Sequence, residues 1–332
     1  MSSRDQWSRL FVLRSQCQEE RETASNGGSA ALHWPASQPT LCVGFECSVA
    51  RHIDFNIPQP ADGPAVPVDS ANLLPVLVSA ASLAVWVWVL LRWRAGDPPL
   101  AFRERPDVSL DLMVVLAVLV IWQIVPVLVA GGIQLTSSPW LHQVQKICIA
   151  GALTLTGAAC ALFGNRTHRP HELGIGLQNG LSDLRDGGLG FLAAFLPVAL
   201  MLFATSSLRN KENAHSLLKL LREHSDLQTV GWVVLSAVVI APLVEELAFR
   251  VILQGTLTKQ IGPRWSIPLV ALAFSAVHPW LDALALIPLA LVLGYVYHRR
   301  HSYLAVVVLH AIFNATNLIF ALLTAENPPA GS

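Results

Sequence analysis

The sequence predicts an all-α protein, a polytopic transmembrane helical bundle of about eight membrane helices. Three observations carry that reading. Hydrophobic residues make up 53% of the 332 and charged ones only 13%, where an ordinary soluble domain has about 25% charged residues. Mean hydropathy is +0.50. The remaining charges cluster between long apolar runs, as a bilayer requires of any chain that crosses it. Net charge is zero and the pI is about 7.2, so no nucleic-acid partner is expected; membrane lipid is the partner that the composition implies.

Residues 1–70 are of another kind. They mix charges with Ser, Gly and Pro, show no sustained period, and end in IPQPADGPAVPVDS. This predicts a disordered N-terminal extension without the apolar core of a secretory signal. The next methionine after Met1 is Met113, so a true start at a valine codon such as Val66 or Val68 is the alternative.

Eight apolar segments follow, at approximately 72–92, 112–132, 143–164, 187–206, 230–257, 265–279, 282–298 and 303–323. Most have the roughly 20 residues needed to cross about 30 Å of hydrocarbon. The sixth and seventh are short, which predicts tilted or partial spans. Trp93, Trp140, Trp232, Trp265 and Trp280 stand near segment ends as interfacial anchors. Arg92, Arg94, Arg103, Arg105, Arg166, Arg169, Arg185, Lys259, Arg264, Arg299 and Arg300 fall in the loops after odd-numbered segments. The positive-inside rule then places those loops in the cytoplasm. The fourth loop opposes this with Arg209, Lys211, Lys219 and Arg222; its stretch NAHSLLKLLREH reads as an amphipathic surface helix. The chain is expected to divide into the extension 1–70, membrane helices with an amphipathic loop over 71–225, a second membrane region over 228–323, and a short tail at 324–332. Its expected location is a prokaryotic plasma membrane.

Cys17, Cys42, Cys47, Cys148 and Cys160 form no disulfide or metal-site spacing. Cys148 and Cys160 read as small buried hydrophobes.

Ionisable groups inside the bilayer are costly, about 2.5–3.5 kcal/mol for a centred charge on insertion scales, and mark functional sites by default. The last four segments hold nearly all of them. Segment five, VVLSAVVIAPLVEELAFRVILQG, places Glu245, Glu246 and Arg250 roughly 11–18 Å from its basic end. Glu246 and Arg250 are four apart, so an ion pair is natural. Glu245 points about 100° away and is left without that partner. Pro242 removes a backbone bond and would kink or loosen the helix. Segment six brings Phe274 and His278 four apart, with Pro279 following. Segment eight sets His310, Asn314 and Asn317 on one stripe. A carboxylate, two imidazoles and an amide can therefore converge from three helices. Singly, each has a bland reading: a satisfied core histidine, interhelical amide bonding, a structural ion pair. A second buried carboxylate is harder to dismiss, because it needs a proton, a cation or a chemical task.

EELAFR (EExxxR), FSAVH (FxxxH) and HAIFN (HxxxN), in this order on separate apolar helices, resemble the CPBP family of type II CAAX prenyl endopeptidases, Abi proteins and bacteriocin-processing or immunity proteins. APLVEEL and the glycine-containing LGYVYHRRHSYLAVVVLH agree, and the likeness covers about residues 228–320. Val251 and His301 depart from it, each standing where many members have glycine. The resemblance implies an intramembrane endopeptidase acting on a membrane-associated or lipidated protein or peptide. Glu245 would be general base, His278 would help to hold the water, and Glu246 would be oriented by Arg250. His310 and Asn314 would stabilise the oxyanion. Glu245, His278 and His310 would be the zinc ligands if a metal is bound; the preferred mechanism needs no cofactor, and there is no HExxH, GxSG or GxGD. A non-catalytic adaptor or immunity factor, and an ion or proton transporter, are the rival readings.

Overall fold

The computed structural model describes residues 68–325, except 107, 133–138, 165, 167 and 209–225. The extension expected over 1–70 lies outside the described residues apart from its last three, which begin a helix, and so does the amphipathic stretch at 213–224. Eight helices make up the described chain: α1 (Val68–Arg94), α2 (Leu112–Gly132), α3 (Pro139–Phe163), α4 (Gly180–Ala204), α5 (Leu227–Ile261), α6 (Pro263–Ala276), α7 (Trp280–Arg300) and α8 (Tyr303–Ala325). No strand occurs among the described residues. All but α6 are long and apolar enough to span a membrane.

The eight helices overlap the eight apolar segments, and three boundaries differ; α6 ends at Ala276, so His278 stands in the turn after it rather than on the helix. Segment seven was expected to be short; as α7 it has 21 residues, because Trp280 and Leu281 extend it at one end and Arg299 and Arg300 at the other. Segment four begins at Gly180 rather than 187, which brings Asp183 and Asp186 into the helix as buried carboxylates. Ionisable groups are thus buried outside the last four helices too. The 14 residues of α6 reach only about 21 Å, as its shortness in the sequence led us to expect.

The helix starts follow from local chemistry. Asp226 caps α5 by accepting from the Thr229 N–H at 3.0 Å and the Thr229 hydroxyl at 2.6 Å. Those bonds hold its carboxyl below the usual carboxylate range. Asp111 accepts from the Met113 N–H as α2 begins, and Pro263 at the first turn of α6 gives up a donor that would be idle there.

Lipid tails are as apolar as leucine, so helices in a bilayer associate through close packing and interhelical bonds. α4 packs against α1, α7 and α8. The Ser82 hydroxyl donates to the Leu192 carbonyl, and Trp86 Nε1 donates to Ala193 O at 3.1 Å, seating α1 on α4. Gly187 and Gly190 let α8 approach: a Cβ at Gly187 would lie 2.7 Å from the Ala305 carbonyl oxygen. A Gly187→Val substitution is therefore expected to cost about 1–3 kcal/mol by overpacking. Gly188 faces open space, so Gly188→Ala should leave thermal unfolding of the purified protein unchanged.

At the basic end of the bundle the loops are bonded to the helix ends. Arg103 pairs with Asp183 at 2.9 Å, and Arg300 and Arg185 pair with Asp186. The Arg299 side chain donates to Leu100 O, and Tyr303 N–H donates to Gly174 O. These bonds fix where α8 starts, and so set the depth of His310.

Candidate active site

α5 is not a uniform α-helix. A six-residue α-helical piece, Ala241–Glu246, is flanked by π-helical stretches at Leu235–Ile240 and Leu247–Gln254. Pro242 starts the central piece, so the loosening expected of it takes the form of widened turns. One consequence is specific. In an α-helix the Ala241 N–H would bond to Ala237 O; here it bonds to Ser236 O. The Ala237 carbonyl is thereby available, and the Asn314 amide donates to it at 2.8 Å.

Glu246 is fully buried and has two partners. Its Oε2 accepts from Arg250 Nε at 3.0 Å and its Oε1 from His310 Nδ1 at 2.7 Å. A carboxylate only accepts, so the Nδ1 proton is fixed and His310 Nε2 is turned outward. That nitrogen lies 3.9 Å from Glu245 Oε2. Glu245 differs in every respect: its side chain is 23% exposed and its buried Oε2 has no hydrogen-bond partner. The separation of the two carboxylates is therefore sharper than helix geometry alone predicts.

Phe274 is the hub of the site. It is fully buried, and its ring centroid lies 5.0 Å from that of His278, 5.8 Å from that of His310 and 5.2 Å from that of Phe249. The Arg250 guanidinium carbon sits 5.2 Å from the same centroid, a cation–π contact out of water. The Phe274 carbonyl accepts from His278 Nδ1 at 2.9 Å, which leaves Nε2 of that ring available.

The structure thus brings Glu245, Glu246, Arg250 and His310 together directly, links His278 to them through Phe274, and joins Asn314 to the π turn above. The Asn317 side chain makes no hydrogen bond with a described residue. Two groups that the sequence reading passed over belong to the setting. Gln254 donates to Gly294 O at 2.8 Å, and the Tyr303 hydroxyl donates to Leu243 O at 2.6 Å. Both extend stripes already in view, Gln254 four residues beyond Arg250 and Tyr303 seven before His310. Gly294 is needed for the first contact, because a Cβ there would lie 3.0 Å from Gln254 Oε1 and 2.9 Å from Ile267.

The zinc set Glu245, His278 and His310 has suitable donor types. Among the described residues, however, no three His, Cys, Asp or Glu side chains are gathered as ligands for an ion. In this arrangement Glu245, His278 and His310 do not come together as a ligand set.

Buried acid, imidazole and amide groups on membrane helices define a polytopic membrane protein with a polar intramembrane centre. Residues 227–316, which contain all three motifs, match the family model described as type II CAAX prenyl endopeptidase Rce1-like. The resemblance read from the motifs is met by that match, which at family level is to CAAX-type intramembrane proteases. The chain is also similar to the UPF0177 protein YaiF of Lactococcus lactis subsp. lactis (strain IL1403), 37% identical over 86 residues. That alignment covers 25% of this chain and 37% of the relative, so the chain spans little more than a third of the relative's length. No solved structure matches the chain.

Proposed function

We propose that the chain is an intramembrane endopeptidase that hydrolyses a peptide bond of a membrane-associated or lipidated protein or peptide, using water activated by Glu245. The observation that supports this most is the unequal treatment of two adjacent carboxylates. Glu246 is consumed by Arg250 and His310, while Glu245 keeps an unbonded Oε2 that faces His310 Nε2. A carboxylate with a buried, unbonded oxygen beside an imidazole is placed to act as a general base.

In this reading, a water lies between Glu245 Oε2 and the imidazoles, with His278 Nε2 orienting it. Glu245 takes a proton as the water oxygen bonds to the scissile carbonyl carbon. The oxyanion that develops is met by the second amide hydrogen of Asn314 and by His310 as the imidazolium, whose Nε2 then carries a proton to donate; such donors are worth most at low dielectric. Collapse breaks the C–N bond, and the proton passes to the leaving amine. Glu246 and Arg250 are positioning residues, acting through the His310 ring.

The test is product release by the purified protein in proteoliposomes, with a farnesylated CAAX-tailed peptide as first probe. The C-terminal fragment is expected to appear at a rate that chelators do not change. Release that stops with chelator and returns with zinc would assign water activation to a metal instead. Release that is equally fast from the Glu245→Gln protein would overturn the reading.

A further inference from the structure

His301 closes α7 in the left-handed conformation, φ 44° and ψ 51°, at a position where glycine costs least. A side chain kept there against that cost points to a use for the imidazole. Its Nε2–H donates to Glu172 O at 3.0 Å, which leaves Nδ1 as the acceptor of the neutral ring. Nδ1 is buried and has no hydrogen-bond partner. Burial pushes the pKa of this imidazole down, and the nearby Arg105 and Arg103 add to that, so the neutral form is favoured.

His301 lines a cavity of about 140 Å³ with Arg105, Ser109, Thr256 and Lys259. Thr256 Oγ1 is likewise buried without a partner. The opposite wall is apolar, from Leu110, Leu173 and Val251. Val251 belongs to α5 and Leu110 precedes α2, so the cavity runs from the basic end of the bundle into its membrane-spanning part. Three carboxylates of this region are engaged: Asp183 by Arg103, Asp186 by Arg185 and Arg300, and Glu172, which also lines the cavity, accepts from the Arg169 N–H. Arg105, half-buried, forms no ion pair with a described residue. The volume is below the roughly 300–1,000 Å³ of drug-sized ligand sites, and suits a headgroup.

We propose that this cavity binds the headgroup of an anionic phospholipid that carries a hydroxyl donor. Arg105 faces the phosphate, the Thr256 hydroxyl donates to a phosphate oxygen, and His301 Nδ1 accepts from the headgroup hydroxyl. Basic pockets between helices at a membrane surface recognise anionic lipids on this principle. The apolar wall receives the start of the acyl chains, which inorganic phosphate lacks.

Native mass spectrometry of the full chain tests this, with phosphatidylglycerol and phosphatidylcholine in competition. The wild-type protein should retain phosphatidylglycerol at least tenfold over phosphatidylcholine, and Arg105→Gln should abolish the preference. His301→Gly should weaken it severalfold while melting no lower than wild type, because glycine suits the left-handed position. His301→Asn, which also tolerates that conformation, serves if the glycine protein is unstable. Equal retention of the two lipids, or a preference unchanged in both the Arg105 and the His301 variants, would overturn the proposal. Displacement of the lipid by millimolar inorganic phosphate would overturn the lipid assignment.

Discussion

Replacing Glu245 by Gln is expected to lower the rate of cleavage by 10²–10⁴-fold, the range that a general base contributes, while the protein inserts and unfolds as wild type does. The two halves of that expectation have one structural cause. Glu245 Oε2 bonds to nothing, and the side chain is partly exposed, so no partner is orphaned when its charge is removed. A loss of about 3–5 kcal/mol of transition-state stabilisation is thus predicted without a matching loss of fold. Thermal unfolding and cleavage, measured on the same preparation, check both halves. A variant that cleaves at the wild-type rate would remove Glu245 from the chemistry.

Glu246→Ala should behave in the opposite way. The Arg250 guanidinium is fully buried, and Glu246 supplies both its ion pair and the bond that fixes His310. Removing one partner of a buried pair leaves an uncompensated charge and costs about 3–5 kcal/mol, so most of the protein should fail to reach the folded state. Removing Arg250 as well, as Glu246→Gln with Arg250→Met, should recover much of the stability, since neutral, well-packed replacements of a buried pair are often tolerated. Activity should not return with it, because His310 has lost the charged acceptor that orients its ring. Wild-type melting of the single Glu246→Ala protein would show that the pair is not the structural element described here.

These two variants also mark the limits of what the sequence could disclose. Hydropathy located all eight helices, because each pairs its backbone groups along an apolar run, of about twenty residues or more in all but the 14-residue α6. It misplaced the start of α4, where Asp183, Arg185 and Asp186 depress the apolar signal. Arg103 and Arg300, far away in sequence, balance those carboxylates. The Glu246–Arg250 pair could be read from a spacing of four. The His310–Glu246 bond could not, because it joins residues 64 apart and depends on how α8 is seated. The same bond makes Glu246 the shared partner of two side chains, where helix periodicity allowed it only one. The π turns carried a single sequence cue, Pro242, which told of a disturbed helix but not of the freed Ala237 carbonyl that Asn314 takes. Phe274 was visible as the first residue of FSAVH; its role as the surface on which Arg250, His278 and His310 pack emerges only in three dimensions.

The central claim is that this constellation cuts peptide bonds, with Glu245 as the base. Its most direct measurement is quantitative peptidomics of membranes from cells that carry the wild-type chain or the Glu245→Ala chain at equal abundance. The account predicts a defined set of new peptide termini that depends on the intact carboxylate, with the uncut precursors accumulating in the Glu245→Ala membranes. Indistinguishable peptide profiles, with both proteins present and folded in the membrane, would contradict it.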